Sequence, residues 1–237
     1  MLATVINCLL ILIGSALGLL LKGKLPQRFL DVLVQALGLC VLSIGISSAI
    51  STKNTLCVVV CLALGTILGE AVNIEKHLDS LGNKLRKRVE KNGGENSTFT
   101  EGFVTASLLF CVGAMAIVGS IEAGINGDYS ILVSKSVIDG ITAVSLATAL
   151  GVGVAFSAVP ILVYQGGITL LAGLVGGFLQ EAVITEMSAV GGCIIIGIGL
   201  NMLKLPKKPL KVGNMLPAIF LPLAYLPLAE FLTQIMH

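Results

Sequence analysis

Long apolar runs alternate with short charged breaks along the chain. Residues 1–21 precede Lys22, 32–52 lie between Asp31 and Lys53, and 54–69 lie between Lys53 and Glu70. Residues 102–121 fall between Glu101 and Glu122, and 187–203 and 212–229 are the last isolated runs. From Gly140 to Gln180 no side chain is charged, a stretch long enough for most of two helices. One helical crossing of a bilayer takes about 20 apolar residues. The pattern therefore predicts an all-α polytopic membrane protein with about eight spans, seven or nine being the alternatives. The long run divides near Gly151-Val152-Gly153 and Ser157-Ala158-Val159-Pro160, because Gly supplies a turn and Pro fits a first helical turn. Pro217, Pro222 and Pro227 follow Asn214 at equal spacing and predict a kinked or broken last span.

Composition excludes most other classes. Of 237 residues, 55% are hydrophobic and only 12% charged; the mean hydropathy is +0.99. A soluble domain carries about twice that charge fraction. A disordered chain and a disulfide-stapled secreted module fail on the same grounds. The net charge of +2 gives no reason to expect nucleic acid as a partner.

Where the charges sit is more informative. Lys22, Lys24 and Arg28 occupy the first loop; Lys76, Lys84, Arg86, Lys87, Arg88 and Lys91 the third; Lys204, Lys207, Lys208 and Lys211 the seventh. Even-numbered loops hold Lys53 against Glu122, Asp128, Glu181 and Glu186. Basic residues mark cytoplasmic loops, so the odd loops are expected inside and both termini outside. The start Met1-Leu2-Ala3-Thr4 lacks a signal peptide's basic region, which makes the first run a retained helix. Residues 1–237 form one integral membrane domain on this reading. Within it, 75–98 is a cytoplasmic basic amphipathic loop or helix, with Ile74, Leu78, Leu81, Leu85 and Val89 at helical spacing among the cations. It suits the inner membrane surface, or the docking of lipid or a partner. Thr98-Phe99-Thr100-Glu101 fits a capping box for the fourth span.

Chemistry of the enzymatic kind is not apparent. Cys8, Cys40, Cys57, Cys61, Cys111 and Cys193 all lie in apolar runs, and His77 and His237 are the only histidines. No metal-ligand set, nucleophile–base pair or nucleotide fingerprint follows. The expectation is no enzyme, no metal and no cofactor.

Polar groups inside the apolar runs are the more telling signal. An ionisable side chain at mid-bilayer costs about 2.5–3.5 kcal/mol on insertion scales, so it needs a partner or a task. If the fifth span enters at Ser130 from outside, Asp139 lies about 13 Å deep, near the middle of the hydrocarbon. Lys135 is one turn shallower on the same face, and Thr142 and Ser145 continue it. The stripe is either a buried structural ion pair or the lining of a cavity. Gly113–Gly119 of span four and Gln165 in Tyr164-Gln165-Gly166-Gly167 of span six reach similar depth. There the glycines either unwind the helix or let a neighbour pack closely. Glu70 and Glu181 stand near opposite faces as candidate gates. They also open two copies of E-A-V-x-x-E, at 70–75 and 181–186. A second echo pairs Ala36-Leu37-Gly38-Leu39-Cys40 with Ala189-Val190-Gly191-Gly192-Cys193. Each fits an inverted repeat, but in different registers.

The stretch Phe103 to Gly124, with Lys135-Ser136-Val137-Ile138-Asp139-Gly140, Gly151-Val152-Gly153 and Val163-Tyr164-Gln165-Gly166, resembles the bacterial membrane-protein family catalogued as domain of unknown function 554. Asn7 with Gly14 and Gly18, and Asn214-Met215-Leu216-Pro217, are similar to that family's ends. The resemblance covers nearly the whole chain. In the family a Pro commonly follows the glycine equivalent to Gly113; here Ala114 stands there, which argues against a break in span four. The resemblance implies a multi-pass protein of the bacterial cytoplasmic membrane, described in terms of transport and without an established substrate.

The resulting expectation is a homo-oligomeric small-solute or ion transporter or channel. Asp139, Lys135, Gln165, Thr142, Gly113 and Gly119 would form its midplane site, with membrane lipid and the solute as partners. The competing expectation is a non-transporting scaffold or sensor acting through the basic helix.

Overall fold

The computed structural model describes residues 1–22, 24–77, 80, 84, 98–112, 114–175 and 180–236. Among them the regular structure is helical throughout. The helices are α1 (Leu2–Lys22), α2 (Gln27–Ala49), α3 (Thr55–Val72), α4 (Phe99–Cys111), α5 (Ala114–Ile125) and α6 (Ser130–Leu150). A 3-10 segment, Val152–Ser157, leads into α7 (Ala158–Val175); α8 (Glu181–Met202) follows. A second 3-10 segment, Val212–Phe220, precedes α9 (Pro222–Met236). Among the described residues six helices are long and apolar enough to cross a bilayer, and two bent pairs raise the number to eight.

The boundaries follow local chemistry. Gly151 ends α6 at φ +89°, a conformation L side chains rarely adopt. Pro160 stands in the first turn of α7, where its missing N–H costs nothing. In the last span the 3-10 segment contains Pro217 and α9 contains Pro227, and the two helices meet at 42°. The fourth span is also broken, against the expectation drawn from Ala114. Val112 caps α4 in an extended conformation, and α4 and α5 meet at 58°. Losing Pro removes one way to interrupt a helix and leaves the others open.

Glycine sets the pairings. On α1, Thr4, Asn7, Ile11, Gly14 and Gly18 form one buried stripe at alternating spacings of three and four. A Cβ at Gly14 would lie 2.2 Å from the Gly140 carbonyl oxygen, and one at Gly18 would lie 2.3 Å from that of Val144. The backbones of α1 and α6 thus touch, running parallel, in the way small residues permit between membrane helices. Gly45 and Gly192 bring α2 and α8 together antiparallel, and Gly65 and Gly69 bring α3 against Ala218 and Asn214. These directions agree with eight alternating crossings.

The capping box does not form. Thr98 makes no side-chain cap to α4; its hydroxyl donates instead to the Leu150 carbonyl, 2.6 Å away, tying α4 to the end of α6. The E-A-V-x-x-E copies also differ locally: Glu70 closes α3, whereas Glu181 opens α8. The second echo falls on α2 and α8, the antiparallel pair. Most of the basic segment 75–98 lies outside the described residues.

Candidate functional site

Asp139 is buried on α6, with Lys135 one turn above it, and the two form an ion pair. The close crossing at Gly14 and Gly18 holds the upper turns of α1 against the same helix. This places Asn7, fully buried, opposite the carboxylate. Asn7 Nδ2 donates to Asp139 Oδ2 at 3.0 Å and to Gln165 Oε1 at 3.1 Å. One carboxamide thus spends both protons joining α6 to α7. Its orientation is forced, since turning it would point its oxygen at a carboxylate. Gln165 must then present its oxygen to Asn7, and its Nε2 is left buried without a partner, as are Asn7 Oδ1, Thr4 Oγ1 and Thr169 Oγ1.

The pair is not sealed on its other side. Lys135, Asp139 and Thr142 line a cavity of about 260 Å³, together with Ile44 and Ser48 of α2 and residues of α4 and α5 on both sides of the break. Asp139 accepts both of its hydrogen bonds on Oδ2. The Thr142 hydroxyl donates to the Ile138 carbonyl at 2.8 Å. Room for the break comes from α8: a Cβ at Gly191 would lie 2.2 Å from Val112 Cγ1.

A second cavity, of about 440 Å³, opens at the other end of the same helices. Leu30, Asp31, Val34 and Gln35 of α2, Glu101 of α4, and Ala149 and Leu150 of α6 line it, and Lys204 closes one side. On α6, Thr142 and Ala149 are seven residues apart, a rise of about 10 Å. Along α2, α4 and α6, Val41, Ala106 and Leu146 fall in sequence between the residues that line the two cavities, and all three are buried in one apolar cluster.

The structure thus brings Lys135, Asp139 and Thr142 together, with Gln165 behind them through Asn7. The helix carrying Gln165 is continuous, so Gly166 and Gly167 do not unwind it. Gly113 lies outside the described residues. Gly119 is not in the cavity; a Cβ there would meet Ile131 and Leu132, so it packs α5 against α6. Glu70 accepts from Lys211 Nζ at 2.6 Å and from the Asn214 side-chain amide, latching α3 to the last span. Glu181 is exposed at the start of α8. Neither glutamate lines either cavity.

Two carboxylates beyond those expected hold loops in place. Glu186, buried, accepts from the Thr52 hydroxyl at 2.6 Å and from the N–H groups of Lys53 and Asn54 at 2.8 and 3.0 Å. That fixes the α2–α3 turn against α8. Asp128, in the loop before α6, accepts from the Ser130 hydroxyl and N–H, which hold its carboxyl below the ordinary carboxylate range. Asn7 was readable as the one carboxamide in a stripe of α1 otherwise made of Thr4, Ile11, Gly14 and Gly18.

Comparison with known proteins places the chain among uncharacterised membrane proteins. No solved structure matches the chain. An uncharacterized membrane protein of Bacillus subtilis, YdfK, is 34% identical over 226 residues, covering 94% of each chain. An uncharacterized protein of Escherichia coli, YqgA, is 32% identical over 218 residues, covering 91% of this chain and 92% of its own. The model of the family described as protein of unknown function DUF554 matches residues 2–226, and the chain belongs to that family of membrane proteins.

Proposed function

We propose that this protein moves a small solute or ion across the bacterial cytoplasmic membrane, with Lys135 and Asp139 as its binding site. One observation carries the reading: the buried ion pair is open to a cavity instead of being closed by its helical neighbours. A purely structural pair, having lost its hydration, needs its remaining lone pairs and protons met by fixed neighbours, whereas here Asp139 takes both of its bonds on Oδ2 and Oδ1 is left without one. A second cavity on the same three helices, beyond a short apolar barrier, has the form of the opposite vestibule. Movement of α4 and α5 about their break would open one side and close the other. Alternating access needs such a hinge near the site, and Val112 stands at both.

The test is flux in proteoliposomes made from the purified full chain, against labelled monovalent cations, anions and small neutral solutes. Asp139→Asn and Gln165→Ala should each lower the rate of whichever solute moves by about tenfold or more, the equivalent of 1.4 kcal/mol. Wild-type rates in both variants would refute the site.

A further inference from the structure

We infer that the solute is a small zwitterion of the α-amino-acid type, its carboxylate set against Lys135 and its ammonium against Asp139. This rests on the reading of that cavity as a transport site, and two independent features of the cavity point to it.

The first is the charge balance of its polar wall. Lys135 and Asp139 are both more than nine-tenths buried and both face the cavity. Asp139 takes its two bonds on Oδ2, which leaves Oδ1 to receive a donor. Lys135 spends one of the three protons of its ammonium on Asp139. A lone cation at Oδ1 would sit beside that ammonium, and a lone anion at Lys135 would sit beside the carboxylate. Either would leave a net charge among the apolar side chains of Ile44, Leu109, Phe110, Val112, Met115 and Ile138, where an unbalanced charge is costly. A molecule with one charge of each sign adds nothing to the net. It converts one ion pair into a ring of alternating charges. The pair is close-set, so charges on neighbouring carbon atoms fit it better than charges at the ends of a long chain.

The second feature is the broken span. Leu109, Phe110 and Val112 at the C-terminal end of α4 line the cavity, and so do Met115 and Ala116 at the N-terminal start of α5. A helix C-terminus carries unpaired carbonyls and partial negative charge; a helix N-terminus carries unpaired N–H groups and partial positive charge. An intact helix would offer neither here. The break sets both poles side by side, one suited to an ammonium and the other to a carboxylate. A bare ion uses one pole, and a zwitterion uses both. At about 260 Å³ the cavity holds a solute of a few heavy atoms beyond the charged groups, and its apolar wall favours an uncharged side chain.

Counterflow decides the matter. Proteoliposomes containing the full chain are preloaded with a mixture of unlabelled neutral L-amino acids and glycine, then diluted into the same mixture at trace concentration with radiolabel. Labelled amino acid should accumulate about tenfold or more over protein-free vesicles. The charge-free double variant Lys135→Met/Asp139→Leu should abolish accumulation. That variant removes both charges together and so avoids stranding either one in the core. Retained thermal unfolding temperature and elution volume confirm that it folds. Acetate and methylammonium, each carrying half of the recognised charge pattern, should not compete at concentrations where glycine or alanine does. If labelled cations or anions move through the wild type while no amino acid accumulates, the zwitterion is overturned and the transport reading stands. If the double variant accumulates amino acid like the wild type, this site is overturned as the place of recognition. If nothing moves at all, both readings fall.

Discussion

Asn7, Lys135, Asp139 and Gln165 show how strongly each side chain here depends on the next. Asp139→Asn removes the negative charge and leaves the Lys135 ammonium buried without its counter-ion. Such a loss costs about 3–5 kcal/mol, whereas removing both members of a buried pair together is close to neutral. Thermal unfolding in detergent should therefore place the single variant well below the double Lys135→Met/Asp139→Leu variant. Equal losses for the two would mean that the pair is not coupled as drawn. Asn7→Leu acts at one remove. It takes a donor from Asp139, which keeps Lys135, and leaves the buried Gln165 Oε1 unmet, at about 1–3 kcal/mol, and the same melting experiment checks it. Depth and partner identity were unequally legible beforehand. A carboxylate nine residues below Ser130 can be counted from the sequence, and its ion pair with Lys135 follows from helical spacing. That Asn7 would meet it depends on how two backbones cross, and no single-chain periodicity contains that crossing.

Breaks and glycine seams do the positioning at the scale of elements. The seam between α3 and the second 3-10 segment is among the tightest: a Cβ at Gly69 would fall 1.9 Å from the Asn214 carbonyl oxygen. Asn214 in turn donates to Glu70 and accepts from the N–H of Glu75. Gly69→Ala should push this segment away and break that latch, with an overpacking cost of about 1–3 kcal/mol. Gly167→Ala is the control, because nothing lies within 4 Å of its Cβ position. It should melt at or above the wild-type temperature. If the two alanines behave alike, close backbone approach is not what holds the α3 seam. The turn at Gly151 and the proline-broken last span could be placed in advance, because Gly and Pro act locally on the backbone. The break at Val112 could not. It carries no proline, and the room for it is supplied by Gly191 on α8, far away in sequence. The capping box failed for a related reason: the Thr98 hydroxyl, which in a cap would accept from an α4 N–H, is instead turned to donate to the Leu150 carbonyl.

For the whole molecule, the arrangement of two cavities along α2, α4 and α6 makes a directional claim that charge alone already suggested. If the basic loops lie inside, as the bias of Lys and Arg leads one to expect, the cavity at Asp139 faces outward and the one at Gln35 and Glu101 faces the cytoplasm. Cysteines at Thr142 and Gln35 report on the two separately, since each lines one cavity. The six native cysteines are free, and Cys40 is exposed, so the background must first have them replaced by alanine or serine. In intact cells a membrane-impermeant thiol reagent should then modify Thr142→Cys and leave Gln35→Cys untouched. In inside-out vesicles the preference should reverse. Reaction from the opposite sides would invert the orientation inferred from Lys and Arg while leaving the fold intact. Reaction of Thr142→Cys from neither side would mean that the cavity is shut in the bilayer. A transported solute adds a further requirement: if Val41, Ala106 and Leu146 are the barrier between two states, saturating solute must change the ratio of the two rates, because a ligand that favours neither state shifts neither population. A ratio that stays fixed while flux continues would place the barrier elsewhere along the path.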